Sequence, residues 1–174
     1  MSTTLRNNVK PQTYTRGIIQ TTFIIFLVFI SFEYISSRYE ILIAPDEGPI
    51  CLPEKVFILD KMSFPEKDGF VMFTAKGLEP WFTDGMPVVK YLRGSPGDEI
   101  KVMERRLYIN GVQRATLNDT VLEKLKVTDM ELERNEVIPD NKYWVMGSLP
   151  PSLDSRYWGY ITKSQIIGKA YAIF

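Results

Sequence analysis

The 174-residue chain contains no histidine and a single cysteine. The first absence excludes every catalytic centre of the Ser-His-Asp or Cys-His kind, and any metal site that relies on imidazole. The second excludes an internal disulfide, whatever the compartment. Net charge is missing too, since 21 basic residues meet 21 acidic ones. Without a basic footprint, nucleic-acid binding loses its usual electrostatic driving force, and no nucleic-acid partner is expected. What is present is 45% hydrophobic and 24% charged residues, a globular composition on a length that suits one domain plus at most an appendage.

Charge is unevenly spread. Residues 1–16 carry Arg6, Lys10 and Arg16 and no acid, which leaves 18 basic residues against 21 acidic ones in the remainder. The next stretch, GIIQTTFIIFLVFISFEYI, is rich in Ile, Phe, Val and Leu, and its one charge, Glu33, lies near the exit end. About 20 residues of helix at ~1.5 Å each match a hydrocarbon core of roughly 30 Å. A cleaved signal peptide would have an apolar region of about 7–15 residues and a small-residue cleavage site. Here the run is longer and continues into SFEYISSRYE with no A-x-A site. A retained transmembrane anchor over residues 17–36 is therefore expected. By the positive-inside rule the basic tail, residues 1–16, stays in the cytoplasm and residues 37–174 face the other side.

After the anchor come short β-rich runs separated by Gly and Pro: ILI at 41–43, KVFIL at 55–59, GFVMFTA at 69–75, PVVKYL at 87–92, EIKVM at 99–103, RLYIN at 106–110, KYWVMG at 142–147 and KAYAIF at 169–174. Several alternate as half-buried strands do. In RLYINGVQRA, Asn110-Gly111 supplies the φ > 0 residues of a type I′ hairpin turn. Residues 120–137 read as a short helix or irregular insertion. The expected fold is a mainly β domain behind one transmembrane helix.

With histidine absent, hydrolytic chemistry from ordinary side chains needs a lysine base, an N-terminal nucleophile, a carboxylate pair or a metal. A lysine amine has an ordinary pKa near about 10.4 and serves as a base only where an apolar setting lowers it. Lys90 is the only charge in the apolar strand PVVKYL. From pattern alone, however, the favoured reading points it to solvent from an edge strand. Cys51, in GPICLPEK, reads equally as a buried small apolar residue or as a loop side chain with a function. Asp154 and Arg156 in LDSRYWG read as a loop ion pair of modest value.

Four segments, in order, resemble the type I signal peptidases, membrane-anchored Ser/Lys proteases. DSRYWG followed by IIGKA is similar to the family's C-terminal box, and VVKYLRGSPGDEIKV to its lysine box, in which G-x-P-G-D follows the lysine. CLPEKVFILDK with KDGFVMF resembles the nucleophile box and the strand after it, and RRLYINGVQ the hairpin after the lysine box. The single anchor and small domain look most like the conjugative-transfer enzymes of the TraF type, with a housekeeping leader peptidase as the close alternative. The resemblance implies a partly open β-barrel, no cofactor, and membrane and leader-bearing precursors as partners. A pilin, or another component of a conjugation or type IV secretion apparatus, is the implied substrate. The implied location is the bacterial inner membrane, with the catalytic domain in the periplasm.

Carried over by position, Lys90 matches the general base and Cys51 stands where the family has its nucleophilic serine. Ser152 matches the serine that orients the lysine. Asp154 and Arg156 match an ion pair beside the site, and in TraF-type enzymes the aspartate is also a candidate for assisting catalysis. Ser155 is a weaker candidate, and Ser63 lies too far along the chain to be the nucleophile. Cysteine is a departure with plausible chemistry, since a thiolate is a strong nucleophile. In GSLPPSLDSR, Ser148 and Leu149 replace an acid-amide pair. Pro49 replaces a serine whose hydroxyl helps hold the oxyanion, and one such donor is worth about 2.7–4 kcal/mol where it has been measured. The competing readings are a catalytically silent scaffold subunit of the same apparatus and a self-cleaving Ser/Lys repressor. Sixteen residues before the anchor are too few for the latter's DNA-binding module.

Overall fold

A computed structural model of the chain describes residues 11–43 and 51–173. The chain divides into two compact units, Met1–Arg38 and Tyr39–Phe174. The first is dominated by one helix, α1 (Pro11–Arg38), which starts on a proline, the residue whose missing N–H costs least in a first turn. Its stretch Thr15–Arg38 has a mean hydropathy of 2.0 over its most apolar window, and none of that window is buried. At ~1.5 Å per residue this helix is long and apolar enough to cross a membrane. Hydroxyls on it bond back to the helix, Thr22 donating to the Ile18 carbonyl at 2.9 Å and Ser31 to that of Leu27 at 2.8 Å. Such back-bonding hides polar groups where no water is present to receive them.

The second unit is built from eleven strands among the described residues: β1 (Tyr39–Ile43), β2 (Val56–Asp60), β3 (Phe70–Thr74), β4 (Pro87–Gly94), β5 (Glu99–Met103), β6 (Arg106–Ile109), β7 (Val112–Thr116), β8 (Arg134–Val137), β9 (Lys142–Met146), β10 (Ile161–Thr162) and β11 (Ile166–Ala172). Two short helices, α2 (Asp119–Leu125) and α3 (Ser155–Trp158), interrupt them. Seven strands form one antiparallel sheet in the order β1-β2-β11-β3-β4-β9-β10, and four form a second in the order β7-β6-β5-β8. The mainly β expectation is met, and the two sheets stay open rather than closing into a barrel. Residues 120–137 resolve into all but the first residue of α2, a 3₁₀ turn at Met130–Leu132 and strand β8.

One apolar core joins the sheets. Val71, Phe73 and Leu92 of the larger one pack in the same buried cluster as Ile100, Leu107 and Ile109 of the smaller. The β6–β7 turn has φ of 51° at Asn110 and 74° at Gly111, as a type I′ hairpin requires. The G-S-P-G-D run after β4 makes the corner between sheets. Asp98 accepts from Lys67 Nζ at 2.9 Å, the Ser95 amide at 2.8 Å and Asn110 Nδ2 at 2.7 Å, tying the corner to that hairpin. Partial burial alone would raise the Asp98 carboxyl, but these donors outweigh it and hold it below the ordinary carboxylate value.

Candidate active site

The strand that carries Lys90 decides its environment. β4 lies between β3 and β9 in the seven-stranded sheet, with Lys90 paired to Val71, so it is an interior strand and not an edge. Val88, Lys90, Leu92 and Gly94 share the buried face. The solvent-facing reading of Lys90 is thereby corrected: the side chain is 0% exposed. Its amine donates to Ser152 Oγ at 3.0 Å and to the Leu153 carbonyl at 2.8 Å. The rings of Phe82 and Trp158 lie 5.8 Å from the nitrogen and meet each other edge to face. Among the described residues Lys90 has no carboxylate partner, so the amine is held by two oxygen acceptors inside an aromatic wall.

Ser152 and Leu153 belong to the loop after β9, and that loop is fixed by the D-S-R residues that follow it. Asp154 is fully buried and accepts from Arg156 Nε and Nη2, each at 2.8 Å, in a bidentate pair. The same carboxylate takes the Gly147 amide at 3.0 Å and caps α3 through the Arg156 amide at 3.2 Å. Arg156 Nη2 also donates to the Ser152 carbonyl at 3.0 Å, and Nη1 to that of Thr116 at 2.9 Å. Ser155 Oγ accepts from the Val145 amide at 2.9 Å, pinning the helix to β9. The modest loop ion pair read from the sequence is thus a buried clamp on the backbone that presents Ser152. Burial works against the Arg156 charge, but the Asp154 carboxylate outweighs it and raises the guanidinium above its ordinary value, with a smaller contribution from Cys51.

Cys51 lies half-buried in the loop before β2. Its carbonyl accepts from the amides of Ser148 at 3.1 Å and Leu149 at 3.4 Å, which ties it to the loop that holds Ser152. Gly147 makes this approach possible, because a Cβ there would run into the Ser152 hydroxyl and lie 2.5 Å from the Cys51 carbonyl oxygen. The structure therefore brings Lys90 and Ser152 into contact and attaches Cys51 to the same loop through its backbone. Asp154 serves Arg156 and the loop amides instead of the lysine. Ser63 is committed elsewhere, donating to Asp60 Oδ2 at 2.8 Å. Pro49, and with it the expectation about the oxyanion donor, lies outside the described residues. No group of three or more His, Cys, Asp or Glu side chains converges as metal ligands would among the described residues. Sequence reasoning missed Phe82 and Gly147; the aromatic pair in EPWFTDG was the available signal for the first.

Comparison with known proteins gives this arrangement its context. The family model described as signal peptidase, peptidase S26, matches residues 15–174. The chain belongs to the S26 signal peptidase family. It is 29% identical over 129 residues to a protein named "Probable signal peptidase I-2" from Synechocystis sp., a match covering 67% of this chain and 53% of that protein. It is 32% identical over 117 residues to signal peptidase IB of Staphylococcus aureus, covering 60% of this chain and 58% of the other. The chain thus spans little more than half the length of these two relatives. A solved signal peptidase I from Enterococcus faecalis is 26% identical, with a TM-score of 0.39, over 60% of this chain and 95% of that one.

Proposed function

We propose that the chain is a membrane-anchored signal peptidase that removes leader peptides from exported precursors, with Cys51 as nucleophile and Lys90 as general base. The observation that carries this reading is a fully buried lysine with no ion pair among the described residues, held by Ser152 on the loop that also grips Cys51. A buried amine is costly to maintain, and the clamp that orients it has no evident purpose without chemistry at the nitrogen. The Cys51 sulfur attacks the scissile carbonyl while its proton passes to the Lys90 amine. Lys90 then gives that proton to the leaving amine as the C–N bond breaks, leaving a thioester. Water, losing a proton to Lys90, hydrolyses the thioester and returns the thiol. Ser152 orients the amine, and Asp154 with Arg156 positions Ser152. The proposed substrates are a pilin or another component of a conjugation or type IV secretion apparatus. The proposed topology is a single pass in a bacterial inner membrane, with the N-terminus cytoplasmic.

Mass spectrometry of the partner pilin from cells carrying wild type, Cys51→Ala, Cys51→Ser or Lys90→Ala tests this. Unprocessed precursor with either alanine, and partial processing with serine at 51, is the expected outcome. Mature pilin in all four strains would overturn the assignment in favour of a silent scaffold or another substrate.

A further inference from the structure

A cleft of about 350 Å³ opens beside the Lys90 nest, lined by Pro80, Trp81, Val121, Lys124, Pro151 and Leu153. Two of its three walls are segments that also enclose the lysine. Trp81 is the neighbour of Phe82, whose ring faces the amine. Pro151 and Leu153 flank Ser152, and the Leu153 carbonyl accepts directly from Lys90. The third wall is α2, which turns buried Val121 inward and leaves Lys124 exposed in its last turn.

The lining is stiff and apolar, with two prolines and an indole, so little side-chain freedom is lost when it is filled. Its single charge is the Lys124 ammonium, which makes no ion pair among the described residues. Apolar walls with one free cation at the rim complement an apolar side chain that is followed by a carboxylate. The cleft and the surroundings of the Lys90 amine share these two segments, which makes a precursor that reaches the amine the occupant argued for here.

We propose that this cleft is an accessory recognition site for an apolar-acidic pair in the precursor polypeptide, a proposal that rests on the peptidase reading for its occupant. It would tie recognition of the substrate to the backbone that orients the base. The ligand chemistry is a Phe-Glu, Leu-Asp or similar dipeptide unit, and a basic residue in the second position is disfavoured by Lys124.

The test uses the full chain in detergent, with ¹⁵N-labelled indoles and the Trp81 signal assigned by Trp81→Phe. The probes are N-acetyl-Phe-Glu-amide, N-acetyl-Phe-Gln-amide and N-acetyl-Phe-Lys-amide. The Glu probe is expected to shift the Trp81 signal saturably, with affinity about fivefold above the Gln probe, the upper end for an exposed ion pair. Lys124→Glu is expected to invert the order in favour of the Lys probe. In turnover, the Glu probe should compete with the precursor, and Lys124→Glu should raise KM more than it lowers kcat. A Trp81 signal that ignores all three probes, or an order untouched by Lys124→Glu, overturns the site. Binding of the Glu probe without competition overturns the precursor as occupant. The binding measurement needs no turnover, so a chain that binds the probe but leaves every precursor uncut refutes the peptidase reading instead.

Discussion

Gly147 and Arg156 hold the backbone around Ser152, the first through the room it leaves for Ser152 and the Cys51 carbonyl and the second through its bond to the Ser152 carbonyl. Three segments meet at Gly147, and their contact partners there are a backbone carbonyl and a short serine side chain, neither of which can swing aside as the end of a long side chain can. Gly147→Ala must therefore separate Cys51 from Ser152 or displace Ser152 from Lys90. A misplacement of about 1 Å in a catalytic pair costs on the order of 100-fold in rate. Precursor turnover by Gly147→Ala is expected to fall by at least that factor, measured beside a thermal melt that reports how much fold is kept. Arg156 has a different profile. Its guanidinium serves both Asp154 oxygens and two carbonyls, and its removal leaves the buried Asp154 carboxylate without its counter-ion. Arg156→Ala is expected to cost about 3–5 kcal/mol of stability, the range for breaking one partner out of a buried pair. Arg156→Lys should recover only part of this, because one ammonium cannot reproduce a planar fork with four acceptors. Chemical denaturation of the three proteins measures both effects, and a neutral Arg156→Ala would refute the clamp.

Among the elements, the corner between the two sheets depends on one carboxylate. Asp98 joins the end of β4 to the β6–β7 hairpin through Ser95, Asn110 and Lys67, and its folded value lies below the ordinary one. A depressed carboxylate adds stability that is complete above the unfolded pKa of about 3.9 and is lost as pH falls through the folded value. Asp98→Asn should therefore destabilise the fold at pH 7 by on the order of 1 kcal/mol, since Lys67 is partly solvated. The difference from wild type should shrink below about pH 4. Melting curves from pH 3 to 7 check this, and a gap that grows on acidification would contradict it. The strands around this corner were legible because EIKVM and RLYIN alternate and Asn110-Gly111 forces a hairpin. β8 was not. Its RNEV carries one apolar residue and is largely exposed where it pairs with β5, so no hydrophobic signal announces it. The two-residue β10 is too short for any period to show. The strand pattern taken alone misplaced Lys90 for a related reason: Val88 and Leu92 on one face and Val89 and Tyr91 on the other make both faces of β4 apolar. Only the packing of the Val88–Lys90–Leu92 face on the core, a tertiary fact, decides which face is buried. The resemblance pointed to Cys51, Ser152 and the Asp154–Arg156 pair, but the contact of Ser152 with Lys90 and the burial of the pair appear only in the fold.

At the scale of the whole molecule, an apolar helix and a β unit with its own core occupy successive parts of one chain. The asymmetry of charge across the helix is a physical statement about orientation, since Arg6, Lys10 and Arg16 precede the apolar run without an acid among them. Lys and Arg beside a spanning helix are retained on the cytoplasmic side, and the proposed topology, with residues 37–174 on the opposite face, rests on that rule. The composition supplies its own reporter. Cys51 is the sole cysteine and is partly exposed, so a membrane-impermeant maleimide reads the location of the β unit without any engineered label. In right-side-out vesicles Cys51 should be alkylated, and in sealed inverted vesicles it should be protected until detergent is added. Cys51→Ser should abolish the signal in both, and a cysteine introduced by Ser2→Cys in that background should reverse the pattern. Equal labelling of Cys51 from both faces would mean that the helix does not span. Protection in right-side-out vesicles with labelling in inverted ones would place the unit in the cytoplasm, where a peptidase for exported precursors could not meet its scissile bonds.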